Sequence, residues 1–473
     1  MTRCFSAATP AFALRGVHLD LKGAPPTFDR LLRLVDVFAA ARFNVLLIEW
    51  EDVFPWTVDP AFRGETTYTP RQVRQLVQHA ADAGLEVMPL VQCLGHMETP
   101  LSLPAYAHLR EQPDRCDVIN PLAPGAAQLI MDMIDDVLAL CPDVRYFHLG
   151  GDEAWCFGTH PDTQSYIREH GKNGLYLHHL QPLFDHLNQR AIRPVLWHDM
   201  LIRWSADQLA SVAEQADVMV WGYNDHPDKI SDRHHYQRRH IDHLHQSGCT
   251  LWCAGAFKGA DGMSADAPNF NARQTNLLGW LDVHQSLNFA GAVTTGWSRY
   301  STHTLQTSPI DGALDTLVDA GHIFHDGRPM PDGRAGCEAF LQTLGEASRH
   351  LSCRQALLDL AEARRSGWAN VIELHELVAM MQHDPHRQAG ASRQTRMTHL
   401  QMHIDEARAA GAALGKALDG AVDSAWIDRY ISERITPLET QHAQLAQQLT
   451  ALAAAAGLPN AYDAAPTLDC AEI

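Results

Sequence analysis

Two adjacent carboxylates, Asp152 and Glu153, follow a pair of glycines in the stretch HLGGDEAW. Neighbouring side chains of a regular strand point to opposite faces, so two such carboxylates could not reach one ligand from within a strand. Gly150 and Gly151 free the backbone to leave strand geometry and to turn both groups the same way. A solvated acidic loop is the competing interpretation. Because the pair ends a predicted strand and precedes Trp155, we favour acid–base chemistry.

Other polar and aromatic residues flank the remaining predicted strands. In chain order they are Arg15, Asp20, Glu49, Glu51, Asp52, His96, Glu98, Trp197, Asp199, Trp221, Tyr223, Phe257, Lys258, Trp297, Arg299 and Tyr300. In a parallel barrel the carboxyl ends of all strands meet at one mouth, which is where such enzymes carry their chemistry. Carboxylates on the floor and tryptophans in the wall are typical of a carbohydrate site, because sugars offer apolar C–H faces and many hydroxyls.

These positions need a scaffold that brings strand ends together. Eight β-rich runs alternate with amphipathic helical stretches, and they cover residues 14–21, 44–50, 86–91, 146–150, 194–198, 217–223, 250–257 and 290–297. Parallel strands buried on both faces need helical crossovers, so eight such units in about 325 residues predict an α/β fold, the closed (β/α)8 or TIM barrel. An open doubly wound sheet is the alternative, but no G-x-G-x-x-G motif follows the first strand.

The chain changes character near residue 335, after which helical patterns continue without strands. We therefore predict a barrel over residues 1–330, an all-helical C-terminal region over 331–457 and a flexible tail over 458–473. Methionine and leucine stripes at helical spacing in the C-terminal region indicate a packing surface, against the barrel or in a homodimer, rather than a cofactor box.

Composition narrows the classes of function. The 473 residues include 37 Lys and Arg against 56 Asp and Glu, a net charge of −19 that would repel nucleic-acid phosphates and anionic membranes. We expect neither as a partner. No apolar run is long enough for a signal peptide or a membrane span. Ten cysteines without a C-x-x-C pair indicate reduced thiols in a cytoplasmic protein.

Six motifs resemble one known family. HLGGDEAW resembles the H-x-G-G-D-E motif of the family 20 glycoside hydrolases, the β-N-acetylhexosaminidases. Five other stretches resemble the hexosaminidase D branch of that family. They are RGVHLDLKGAPP, LLIEWEDVFPW, PLVQCLGHME, AFKGAD and TTGWSRY. Together the motifs span the whole predicted barrel, about residues 13–325, in the family's order. The C-terminal region carries no clear resemblance.

The resemblance implies an exo-acting enzyme that releases terminal β-linked N-acetylgalactosamine or N-acetylglucosamine from a small glycoside, with retention and without a cofactor or metal. Family 20 uses substrate-assisted catalysis, in which the 2-acetamido oxygen attacks the anomeric carbon and forms an oxazoline. Glu153 would then be the general acid and base. Asp152 would hold the acetamido N–H and stay ionised while Glu153 keeps its proton.

The same resemblance assigns the substrate-binding residues. Arg15 would bind sugar hydroxyls, and His96 would support the acid through a neighbouring carboxylate, Glu51 or Asp52. Trp197, Trp221 and Trp297 would form the pocket wall. Asp199 would support the site. Two positions depart from the family pattern. Arg299 stands where classical members carry a glutamate, and Tyr223 is the candidate for the tyrosine that binds the acetamido oxygen.

Two other functions stay open from the sequence. The 28 histidines suggest a metal-dependent hydrolase, but there is no H-E-x-x-H motif and His96 is the one clear histidine at a predicted strand end. The histidine cluster at residues 233–245 is predicted to lie on a crossover helix, away from the mouth. A non-catalytic sugar-binding barrel is the second alternative, and it would not need the Asp152–Glu153 pair.

Overall fold

The computed structural model describes residues 9–23, 25–230, 235–262, 266–299, 305–386 and 391–458. Eight parallel strands pair in sequence order and close into a barrel. The strands are β1 Leu14–Asp20, β2 Val45–Glu49, β3 Glu86–Leu90, β4 Tyr146–His148, β5 Arg193–Trp197, β6 Asp217–Trp221, β7 Leu251–Lys258 and β8 Gly291–Gly296. The seam closes where Leu14 of β1 pairs with Gly291 of β8. The predicted (β/α)8 barrel is confirmed.

Helices connect the strands and continue beyond them. They are α1 Phe28–Ala40, α2 Pro70–Asp82, α3 Glu98–Leu101, α4 Ala126–Leu140, α5 Pro161–Asn188, α6 Ala206–Ala213, α7 Arg238–Gln246, α8 Phe270–Leu287, α9 Leu314–Asp326, α10 Arg334–Thr343, α11 Ala347–His383, α12 Ala391–Ala417 and α13 Ser424–Ala455. The start of α2 illustrates the local signals. Thr69 and Gln72 form a capping box around Pro70 at the first helical position.

The barrel interior is a packed core. Side chains from alternate strand positions fill it, including Val45, Leu47, Met88, Leu90, Val195, Trp197, Met219, Trp252, Ala254 and Val293. Large residues such as Trp252 leave no room for a pore, so a ligand must bind at one end of the barrel. Among the described residues, no helix is both long and apolar enough to cross a membrane.

The three long C-terminal helices α11, α12 and α13 pack on one another. They also hold the loops at the carboxyl end of the barrel. The buried carboxylate of Asp266, in the loop after β7, pairs with Arg434 of α13 at 2.7 Å and with Arg364 of α11 at 2.5 Å. Arg434 also donates to the backbone oxygen of Gln306 in the loop after β8. The helical region therefore braces the face on which a barrel carries its chemistry.

Two further contacts tie the C-terminal region to the first barrel loops. Pro26, after β1, forms a β-bridge with Val422, and the indole N–H of Trp426 donates to Thr66 after β2 at 3.0 Å. The predicted tail at residues 458–473 lies outside the described residues except for Leu458.

Candidate active site

The chain leaves strand geometry directly after β4. Gly150 and Gly151 have φ values of +64° and +83°, and Glu153 has a φ of +45°. A Cβ atom on Gly150 would meet the side chain of Gln92 at 1.8 Å. Glycine is therefore needed both for the positive φ and for the close contact. As predicted from the Gly-Gly pair, the turn places Asp152 and Glu153 together at the barrel mouth.

His96 lies between the two carboxylates. Its Nε2 atom is 3.4 Å from Glu153 Oε2 and 3.7 Å from Asp152 Oδ2. His96 also has a positive φ, +55°, in the loop that follows β3. That loop is packed tightly on the catalytic turn, since a Cβ on Gly95 would lie 2.1 Å from the backbone oxygen of Asp152. His96 thus contacts Glu153 directly, and no bridging carboxylate is required.

Asp199 supports the pair from the end of β5. One of its carboxylate oxygens accepts the backbone N–H of Glu153 at 3.0 Å, and the other accepts the indole N–H of Trp221 at 3.2 Å. One side chain therefore sets the position of Glu153 and of a wall residue at the same time.

Aromatic rings from three strands form a continuous wall. Trp221 stacks on Tyr223 with ring centroids 5.3 Å apart, and Tyr223 lies 6.2 Å from Trp297. Trp297 in turn lies 6.1 Å from Trp197, which is almost fully buried. The rings of Trp197 and His148 are 4.3 Å apart below this wall. The structure brings the three predicted wall residues, Trp197, Trp221 and Trp297, together with Tyr223.

Arg15 does not belong to the site, which corrects the sequence-based assignment. It is the second residue of β1, and its guanidinium donates to the backbone oxygens of Phe12, Ala13 and Arg42 at 2.8 to 2.9 Å. These partners lie at the amino end of the strand, opposite the mouth. Arg15 therefore closes the bottom of the barrel and cannot bind the substrate.

Lys22 is the cation that the sequence reasoning missed. It follows the carboxyl end of β1, and its Nζ atom lies 2.7 Å from Glu49, 3.5 Å from Glu51 and 3.7 Å from Asp20. The predicted end of the first strand at residue 21 already placed Lys22 at the mouth. The rule that barrel chemistry occupies carboxyl strand ends would have selected it over Arg15.

Glu51 and Asp52 follow β2 but do not link His96 to Glu153. Glu51, with a φ of +48°, accepts a hydrogen bond from Thr99 at 2.7 Å in addition to its contact with Lys22. Asp52 packs against Gly64. Burial raises the pKa of the Asp52 carboxyl, and the positive charge of Arg299 opposes that rise. Asp52 and Arg299 therefore lie near each other at the rim.

The histidine cluster is only partly where the sequence placed it. Residues 238–245 lie on α7, as predicted for a crossover helix, while residues 233 and 234 lie outside the described residues. His235, however, precedes α7 and packs against the indole of Trp221 with centroids 3.8 Å apart. It therefore supports the back of the aromatic wall rather than a remote surface.

Two groups of side chains in the described part of the chain offer three metal-ligand atoms within 4.8 Å of one another. They are the group His96, Asp152 and Glu153 at the barrel mouth, and the group His226, Asp228 and Asp282. Asp228 and Asp282 are exposed. The second group lacks the enclosed, four-ligand arrangement of a structural zinc site.

Comparison with known proteins identifies the family. Residues 12–239 match the family model for the catalytic domain of glycosyl hydrolase family 20. Hexosaminidase D of Bos taurus is 34% identical over 339 residues, which cover 69% of this chain and 96% of the bovine protein. Hexosaminidase D of Homo sapiens is 33% identical, over 71% of this chain and 70% of the human protein. This chain belongs to glycosyl hydrolase family 20.

Solved structures agree on the fold of this family 20 enzyme. A chitobiase from Flavobacterium johnsoniae superimposes with a TM-score of 0.55 and 15% identity, over 96% of this chain and 74% of that one. The N-acetyl-β-hexosaminidase of Streptomyces plicatus superimposes with a TM-score of 0.52 and 19% identity, over 71% and 69% of the two chains.

Two side chains of this site, Asp152 and His96, have raised pKa values. Burial raises the pKa of Asp152, and the negative charges of Asp199 and Glu153 raise it further, while His96 opposes them. Burial lowers the pKa of His96, but attraction to Asp152 and the hydrogen bond with Glu153 outweigh burial and raise it. The expectation that Asp152 simply stays ionised is therefore not met by the surroundings of the free site.

We expect the acid limb of the pH profile of kcat/KM to show the raised pKa of Asp152. The plot of kcat/KM against pH reflects the free enzyme, and the role that the family resemblance implies for Asp152 requires its ionised form. Its acid-side midpoint should lie above about 4, the ordinary value for aspartate. Replacing His96 by Asn removes a positive charge that lowers the pKa of Asp152, so the midpoint should move to higher pH.

A matched control for this profile is His79→Asn. His79 pairs with Asp36 at 2.8 Å on the outer helices, which makes it a histidine–carboxylate contact remote from the site. Its profile should equal that of the wild type. A His96→Asn midpoint that is unchanged or lower would contradict the assigned electrostatics.

Proposed function

We propose that this chain is a retaining exo-β-N-acetylhexosaminidase acting on terminal β-linked N-acetylgalactosamine or N-acetylglucosamine. The reaction proceeds through an oxazoline formed by the substrate's own 2-acetamido group. Glu153 is the general acid and base, and Asp152 orients the acetamido group and stabilises its positive charge.

One observation carries this division of roles. The Oδ1 atom of Asp152 is buried and accepts no hydrogen bond from the described residues. A buried carboxylate oxygen without a donor costs free energy, which an incoming amide N–H would recover. The side chain of Glu153 is 33% exposed against 10% for Asp152, so Glu153 faces the leaving group and water. Two adjacent carboxylates thus have two different surroundings.

The first step follows from this arrangement. The acetamido oxygen attacks the anomeric carbon while the glycosidic C–O bond breaks and Glu153 gives its proton to the leaving oxygen. Asp152 accepts the acetamido N–H and stabilises the developing oxazolinium charge. His96 lies within 4 Å of both carboxylates, so its positive charge favours the ionised state that each reaches during the cycle.

The second step reverses the proton transfer. Water attacks the anomeric carbon from the side that the aglycone has left, and Glu153 takes its proton. Two attacks on opposite faces give net retention. Asp199 keeps the Glu153 backbone in place throughout by accepting its N–H at 3.0 Å.

The aromatic wall supports binding of one sugar unit. Trp221, Tyr223 and Trp297 offer ring faces for the acetamido methyl and the sugar C–H groups. Burial raises the pKa of Tyr223, and the nearby charge of Asp152 adds to the effect, so its hydroxyl stays protonated and able to donate to the acetamido oxygen. Lys22 and Arg299 replace Arg15 as candidates for hydroxyl recognition.

Glu153→Gln and Asp152→Asn should separate the two roles. With nitrophenyl N-acetylhexosaminides, Glu153→Gln should lose on the order of 10²–10⁴ in kcat/KM, and much less when the leaving group is a more acidic dinitrophenol. Asp152→Asn should lose on the order of 10²–10³ with both leaving groups, because it acts on the acetamido group. Steady-state rates along a leaving-group series measure this.

The matched control is Glu169→Gln. Glu169 neighbours a histidine, His170, at 3.8 Å, but its side chain is 78% exposed on α5. Its rates should equal those of the wild type. Equal sensitivity of the Glu153 and Asp152 variants to the leaving group would refute the assigned roles.

We further propose a cytoplasmic homodimer. Eight free cysteines among the described residues, nearly all buried, support a reducing compartment. Leu351, Leu358, Ile372 and Met380 are exposed at helical spacing along α11, which supports contact with a second copy.

Sedimentation should therefore give twice the mass of one chain, and Ile372→Glu should restore the single-chain mass. The control Met402→Glu changes an exposed residue of α12 and should leave the dimer intact. A single-chain mass for the wild type would exclude this dimer.

A further inference from the structure

An exposed tryptophan lies beside the proposed general acid. Trp155 is 74% exposed, although tryptophan is among the most apolar side chains. It follows Glu153 by two residues, and its backbone N–H donates to the backbone oxygen of Glu153 at 2.7 Å. The two side chains therefore share one tight turn at the barrel mouth.

The proposed proton transfer by Glu153 determines which part of a substrate Trp155 can contact. Glu153 gives its proton to the leaving oxygen, so the leaving group must lie on the Glu153 side of the mouth. The sugar that is released occupies the aromatic wall of Trp221, Tyr223 and Trp297 inside the mouth. Trp155 is exposed rather than packed in this wall, and it lies two residues along the chain from the proposed proton donor.

The chain that follows Trp155 is anchored at the start of α5, which limits the movement of the segment that carries the tryptophan. The buried carboxylate of Glu111 accepts the backbone N–H groups of Thr159 and His160 at 2.7 and 2.9 Å and the hydroxyl of Thr163 at 2.6 Å. A preorganised aromatic face binds a ring with little loss of conformational entropy.

Polar groups border the same area. Arg115 forms an ion pair with Asp117, and both charges act on Cys156, the neighbour of Trp155. Asp117 is joined to the His96 loop, because its backbone oxygen accepts the N–H of Met97 at 3.1 Å. Sugar-binding surfaces combine an aromatic face with charged partners for hydroxyls, and these residues provide both.

We infer that Trp155 is the stacking platform of an aglycone subsite, which receives the sugar or aromatic ring on the leaving side of the scissile bond. Arg115 and Asp117 are its polar rim. The inference rests on the proposed function and adds the part of the substrate beyond the terminal N-acetylhexosamine.

The test compares leaving groups that can and cannot stack. Trp155→Ala should lower kcat/KM on the order of tenfold for a β-linked N-acetylglucosamine disaccharide and for the nitrophenyl glycoside. For the N-acetyl-β-glucosaminyl fluoride it should change nothing, because fluoride offers no ring. Inhibition by free N-acetylglucosamine should also stay at the wild-type level. Trp155→Phe should recover most of the loss.

Trp368→Ala is the matched control, because Trp368 is an exposed tryptophan on α11, remote from the turn. It should behave as the wild type with all three substrates. Equal losses with the fluoride and the disaccharide would overturn the inference, since they would place Trp155 in the chemistry or in folding. Unchanged rates with all substrates would overturn it as well.

Two further outcomes have separate meanings. If Trp155→Ala changes the oligomeric state instead of the disaccharide rate, a second copy covers Trp155 and the aglycone subsite is refuted. If the wild type hydrolyses none of the three substrates, the proposed function itself fails and the inference fails with it. Wild-type activity with an insensitive Trp155 refutes the inference alone.

Discussion

The site depends on one departure from regular backbone geometry. Between β4 and Glu153 the chain passes through three positive φ values, two of them at glycines. His96 and Glu51, at the ends of the two preceding strands, also have positive φ values. Such conformations cost free energy at non-glycine residues and persist only when surrounding contacts impose them. Here they are concentrated where adjacent side chains must converge on one point, which ordinary strand ends would not allow.

The rest of the molecule supplies the contacts that hold this geometry. Tyr176 donates to the backbone oxygen of Gly151 at 2.9 Å, and Asp199 accepts the N–H of Glu153. Around the mouth, the C-terminal helices reach the loops after β1, β2, β7 and β8, with Asp266 held between two arginines. A barrel with long mouth loops needs such bracing, because each loop alone has few apolar contacts.

Sequence reasoning predicted the barrel, and it placed Asp152 and Glu153 together at the barrel mouth, for physical reasons. Eight alternating strand and helix units are compatible with few topologies. A Gly-Gly pair before two carboxylates at a strand end has few structural roles other than turning both side chains the same way. It failed where the direction of a strand mattered. Arg15 and Lys22 both flank the first strand, and only the position relative to its carboxyl end separates a structural cation from one at the mouth. His235 was missed because the ring contact with Trp221 joins two elements distant in sequence.

The participation of the 2-acetamido group is the central claim, and one comparison tests it most directly. It is the ratio of kcat/KM for nitrophenyl N-acetyl-β-glucosaminide to that for nitrophenyl β-glucoside, which differ only at the 2-position. In the proposed mechanism the acetamido oxygen is the nucleophile and Asp152 serves only that group. The account therefore predicts at least about a 10³-fold preference, of the size that intramolecular nucleophiles provide. Comparable hydrolysis of the glucoside would contradict it.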